Sequence, residues 1–146
     1  MGLYMQLNKK VYLPVTPSDK FIEKTQETWD LIGVNPTAVE YVSTKFAVWH
    51  NAYSIHNWFV NLWDYDWIGS IYVSYENIEM LKNAIEETLE SRKRDYNPIP
   101  MAREYGKHKE WYIKDLAETL EIVNKALEEI SQLNVPTIEF EYIGGW

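Results

Sequence analysis

The sequence predicts an α+β fold: a single domain over residues 1–146 in which a small mixed or antiparallel sheet packs against about four helices. Three observations carry this. Apolar residues recur in helical steps of three and four in several stretches. Short segments such as LYMQL at 3–7 and TIEFEYI at 137–143 alternate apolar and polar residues, as half-buried strands do. No linker, repeat or low-complexity tract interrupts the chain, and its 46% hydrophobic residues are enough to build one core.

Taken in order, residues 3–7 and 11–13 read as two short strands, with Asn8, Lys9 and Lys10 as the turn of a hairpin. Thr16, Pro17, Ser18 and Asp19 have the composition of a helix start, with a hydroxyl cap, proline at the first helical position and an early acidic residue. Phe21, Thr25, Trp29 and Ile32 follow at helical spacing until Gly33 stops them. Asn35-Pro36 marks a loop, and Val39, Tyr41 and Val42 suggest a strand running towards Thr44. From Phe46 to Trp63, Val48, Ala52, Ile55, Phe59 and Leu62 form the apolar stripe of a central helix. His50, Ser54, Asn57, Asn61 and Asp64 fall on its opposite face, with Trp49, His56 and Trp63 on one flank and Asn51 and Trp58 on the other. Asp64 to Gly69 makes a tight connection, Ser70 to Val73 a strand, and Ser74 caps a helix carrying Ile78, Leu81, Ile85 and Leu89. Residues 93–109 lack a period and read as the longest loop, and a final helix from about Glu110 carries a Leu and Ile stripe to Ile130. Pro136 ends that helix and the strand at 137–143 follows.

Composition narrows the function classes. The chain has no cysteine, which removes disulfides, thiolate chemistry and cysteine-ligated metal sites and suits a reducing compartment. The start MGLYMQLNKK has no signal-peptide pattern, and no stretch is long enough to span a bilayer, so no membrane association and a cytoplasmic location, in a bacterial host, are expected. A net charge of −8 opposes nucleic-acid binding and suits either simple solubility or a basic protein partner.

The segment from Trp49 to Trp67 holds four of the seven tryptophans together with His50 and His56. Ring faces beside directional polar groups are what a ligand pocket needs, although the same rings also fill cores. His50 and His56, six residues apart, do not share a helix face, so no metal is expected. Nucleophile-elbow and phosphate-loop motifs are absent, which favours binding over catalysis, with a hydrolase centred on His56 as the enzymatic alternative. No cofactor is expected. The candidate ligand-binding residues are Trp49, His56, Asn57, Trp58, Asp66, Tyr72 and Arg103. Trp49, Trp58 or Tyr72 would stack a base, and His56, Asn57 and Arg103 would meet its polar groups. Arg103 belongs to a locally basic segment from Arg92 to Lys109, either a solvated loop or a means of neutralising phosphate.

The pieces Trp49, Ala52 and Ile55-His56-Asn57-Trp58-Phe59, then Gly69 with Tyr72-Val73-Ser74, then Trp111-Tyr112, Asp115-Leu116 and Thr119, together with the MGL start, resemble a family of small uncharacterised proteins of phages and prophages. That resemblance implies a viral accessory protein that counters host defence by binding. The family pattern has a glycine- and phenylalanine-rich segment before the last helix, where this chain has Tyr96-Asn97-Pro98-Ile99-Pro100. The expectation is a non-enzymatic counter-defence protein that sequesters a small nucleotide-type host immune signal. The alternative is an acidic inhibitor that occludes a host nuclease or defence effector. A homodimer fits the first of these, because nucleotide-binding pockets in small proteins often need two chains to enclose a ligand.

Overall fold

A computed structural model describes residues 2–13, 18–62, 69–91, 97–131 and 138–145. Its sheet is built from β1 (Tyr4–Tyr12), β2 (Tyr41–His50), β3 (Gly69–Val73) and β4 (Ile138–Gly145) in the order β2-β1-β4-β3, every neighbouring pair antiparallel. Four helices join them: α1 (Asp19–Ile32), α2 (Tyr53–Leu62), α3 (Tyr75–Glu90) and α4 (Lys109–Ser131). The α+β class expected from sequence is therefore the observed one, with the sheet antiparallel.

Alternation along the strands sends Leu7 and Met5 of β1, Trp49 of β2, Ile71 and Val73 of β3, and Phe140 and Tyr142 of β4 to one face. There they meet Ile55 and Phe59 of α2, Ile78, Leu81 and Ile85 of α3, and Leu116, Val123 and Ala126 of α4 in one continuous core. Phe59 stacks on Tyr142 with ring centroids 4.0 Å apart and planes 12° from parallel, at the centre of this layer. Burying each such ring contributes about 1.5–3 kcal/mol. The residues between them, Tyr4, Tyr41, Val48 and Tyr72 among others, lie on the opposite face and are exposed. On that side Lys10 pairs with Glu141 at 3.4 Å, and the Tyr12 hydroxyl donates to Glu139 at 2.8 Å.

Helix ends follow their local chemistry. Ser18 caps α1 by accepting from the Phe21 amide, and Gly33, at φ 68°, ends it in the left-handed conformation that glycine adopts without steric cost. The cap is therefore Ser18 and not the expected Thr16, because the helix starts at Asp19; Thr16 and Pro17 themselves lie outside the described residues. Ser74 caps α3 in a reciprocal box with Asn77, each side chain bonded to the other's backbone amide at 3.0–3.1 Å. Trp29 is the buried residue of α1, and its indole donates to Thr25 one turn back at 2.7 Å.

Three expectations need correction. Residues 3–13 do not form a hairpin: Asn8, Lys9 and Lys10 continue β1, hydrogen-bonded to β2 on one side and β4 on the other. The lysines tolerate a central strand because Lys9 reaches Glu129 of α4 at 2.7 Å and Lys10 reaches Glu141. The central helix does not begin at Phe46. Residues 46–50 are strand, paired to β1 through Tyr4↔His50, Met5↔Trp49 and Gln6↔Val48, and the helix starts only at Tyr53. Val48 is therefore an exposed strand residue and not part of a buried helical stripe. Finally, the described part of the segment 93–109 is packed and not a solvated loop: Ile99 is 1% and Tyr105 3% exposed, and Arg103–Tyr105 forms a short 3-10 turn.

Candidate functional site

The turn between β2 and α2 sets the site. Asn51 sits at φ 60°, where asparagine is among the few side chains tolerated, and its Oδ1 accepts from the Leu3 amide at 2.8 Å. Reversing the chain there points Ser54, on the first turn of α2, at residues 97–102. Ser54 is 2% exposed. Its hydroxyl donates to the Pro100 carbonyl and accepts from the Ala102 amide, both at 2.8 Å. The same segment is held from behind by Tyr112 of α4, whose hydroxyl donates to the Ile99 carbonyl at 2.5 Å. Asn97 donates to that hydroxyl at 3.2 Å and accepts from the Ile99 amide at 3.1 Å. The segment is thus a fixed wall lying across α2.

Between this wall and α2 is a cleft of about 450 Å³, lined by Ser54, Asn57, Trp58, Asn61 and Leu62 of α2, Met80 of α3 and residues 98–102. Ser54, Asn57 and Asn61 share a helix face at the spacing the sequence indicates. Asn57 and Asn61 are exposed, and their amides stand one turn apart, each offering a donor and an acceptor. Trp58 is partly buried and meets Phe59 edge-on at 5.3 Å and 83°, which fixes its plane. Pro98, Pro100, Met101 and Met80 supply apolar surface. Among the described residues, no ionisable side chain lines this cleft. Such a surface can grip a flat, neutral ring system by its face and read its edge through two amides.

The candidate residues divide accordingly. Asn57 and Trp58 come together in the cleft. Trp49 is 5% exposed, and its indole donates to Thr119 at 3.0 Å within the core. His56 is half-buried, with Nδ1 2.7 Å from the Tyr142 hydroxyl. Burial raises the Tyr142 pKa far above that of a free phenol and lowers that of His56. The proton therefore stays on Tyr142, which donates to a neutral imidazole. Tyr72 is 52% exposed on the outer face of the sheet, and the Arg103 side chain is 96% exposed beside Glu104. Asp66 lies outside the described residues, as do Trp63 and Asp64. Asn61, which helical phase places on the same face as Asn57, joins Asn57 and Trp58 in the cleft. Ser54 was visible as a polar position without its role, because the segment it grips is 46 residues away.

Among the described residues, no group of three His, Asp or Glu side chains converges as a metal site, and no helix is long and apolar enough to cross a membrane. Comparison with protein-family models, with curated proteins and with solved structures finds no match for the chain. Function is therefore argued from the cleft itself.

Proposed function

We propose that this protein is a non-catalytic binder that sequesters a small nucleotide-type ligand, its base held in the cleft along α2. The observation that carries the reading is the conjunction of the Trp58 ring with the Asn57 and Asn61 amides on one side of a preformed, neutral, largely apolar cleft. A heterocyclic base has a flat face and an edge of donors and acceptors, which is the complement of that surface. Arg103 follows directly after the wall residue Ala102, and its side chain is exposed beside Glu104, so a phosphate leaving the cleft on that side would find a guanidinium. The resemblance to phage proteins supplies the biological setting: a viral product that withholds a nucleotide immune signal from its host.

Calorimetric titration with a panel of cyclic and ADP-ribose-type nucleotides tests this. The expected result is saturable heat with at least one member, weakened about 5- to 150-fold by Trp58→Ala, since one stacked base contributes about 1–3 kcal/mol. Silence across the panel defeats the reading. Silence combined with salt-sensitive capture of a host nuclease would favour an acidic inhibitor, which the net charge of −8 also suits.

A further inference from the structure

A second cleft of about 330 Å³ is lined by His50, Asn51, Tyr53, Glu104, Tyr105, Trp111, Lys114 and Asp115. Its chemistry is the reverse of the first. Aromatic rings from Tyr53, Tyr105 and Trp111 share its lining with two carboxylates and the Lys114 ammonium, and contacts within the protein hold these groups in place. Asn51 Oδ1 accepts from the Tyr53 hydroxyl at 3.2 Å, and Tyr53 meets Tyr105 edge to face at 5.8 Å and 85°. The Tyr105 hydroxyl donates to Asp115 Oδ2 at 2.6 Å. His108 stacks on Trp111 at 4.0 Å and 13°, covering one face of an indole that is still 55% exposed.

We propose that this cleft binds an organic cation, an ammonium or guanidinium group carried by a small amine or by a lysine or arginine side chain. A cation is drawn both to a carboxylate and to the electron-rich faces of aromatic rings, and a cage of the two is the usual receptor for alkylated ammonium. Asp115 supplies the charge. Its carboxylate is half-buried and bonded to a neutral phenol, and burial holds its pKa above the ordinary carboxylate value, which a bound cation would reverse. Of the basic residues nearby, Lys114 lowers the Asp115 pKa by its charge, though less than burial raises it, and among the described residues neither Lys114 nor His50 forms an ion pair with Asp115. Lys114 points to Glu118 one turn on, at 3.6 Å, and the His50 ring lies edge-on to Tyr4 at 5.4 Å. Glu104 faces the solvent-exposed Arg103, at 3.9 Å.

The test is an indole-fluorescence titration of the full chain with choline, with its uncharged isostere 3,3-dimethylbutanol, and with short peptides bearing trimethyllysine or arginine. Choline or a cationic peptide is expected to saturate the signal and the isostere is not. Tighter binding of choline assigns the site to small amines, and tighter binding of a peptide to a protein partner. Asp115→Asn, which keeps an acceptor for Tyr105, should weaken the cation at least tenfold, and Trp111→Ala should remove most of the fluorescence change. Trp58→Ala, in the other cleft, should leave cation binding unchanged. The proposal is overturned if no cation binds, if the isostere binds equally well, or if Asp115→Asn, folded by circular dichroism, binds as the parent does.

Discussion

Replacing Ser54 with alanine removes one hydroxyl and two hydrogen bonds, and the structure sets the size of the effect. The Ala102 amide loses its acceptor in a buried setting, where an unmet donor costs about 1–3 kcal/mol. The Pro100 carbonyl loses its donor too, but Pro100 is exposed and water can replace the bond, so that loss adds about 0.5–1 kcal/mol. Ser54→Ala should therefore destabilise the protein by about 1.5–4 kcal/mol. The assay is urea unfolding: the midpoint falls while the dependence on denaturant stays the same, because the surface exposed on unfolding is unchanged. The loss has a functional side. With residues 97–102 no longer gripped, the first cleft loses its wall, and amide exchange at Ala102 should accelerate far more than at Ile85 in the core. Ligand affinity should fall at the first cleft, which Ser54 and residues 98–102 line. A stability change below about 0.5 kcal/mol, with exchange at Ala102 unaltered, would refute the reasoning, since a buried amide would then tolerate the loss of its Ser54 acceptor.

Four further outcomes are expected. Because burial holds the His56 pKa below 6.5, the unfolded chain takes up that proton first as the solution is acidified. Stability contributed by this site is complete above about pH 6.5, falls as the pH drops from there towards the lower folded-state pKa, and then levels off. Urea midpoints between pH 7.5 and 5 should follow that course in the parent and flatten in His56→Gln. Gly144→Ala should cost about 1–3 kcal/mol by overpacking, because a Cβ there would lie 2.5 Å from the Tyr142 hydroxyl and 2.9 Å from His56 Nδ1; thermal melts report it. Trp49→Phe removes a buried indole donor and should cost about 1 kcal/mol in urea unfolding without altering nucleotide titrations, which separates it from Trp58→Ala. Asp115→Asn should raise the urea midpoint at pH 7, because burial outweighs the Tyr105 hydrogen bond in setting the carboxylate's pKa.

Much of the fold is legible without coordinates. Ser74 followed by Ile78, Leu81 and Ile85, the long apolar stripe of α4, and the alternation in residues 138–143 each combine a strong period with a cap or breaker, and local physics decides them. The failures share one cause. In residues 46–52 the apolar positions also fit a helix, and nothing local states that Tyr4 to Leu7 will offer backbone partners to His50 and its neighbours. At residues 8–10, polar side chains resemble a turn, while the carboxylates that accommodate both lysines come from Glu129 and Glu141, more than a hundred residues away.

The candidate site divides along the same line. Asn57, Asn61 and Ser54 on one helix face, with Trp58 beside them, followed from a period of 3.6 residues, because their relation is internal to a single helix. That Trp49 and His56 would be taken up by Thr119 and Tyr142 did not follow, because those partners arrive from α4 and β4. The sequence alone determined the α+β class, most helices and one polar helix face. Tertiary structure alone decided what that face confronts, because the opposing wall at residues 97–102 is set by Ser54, Thr88 and Tyr112, which only the folded chain brings together.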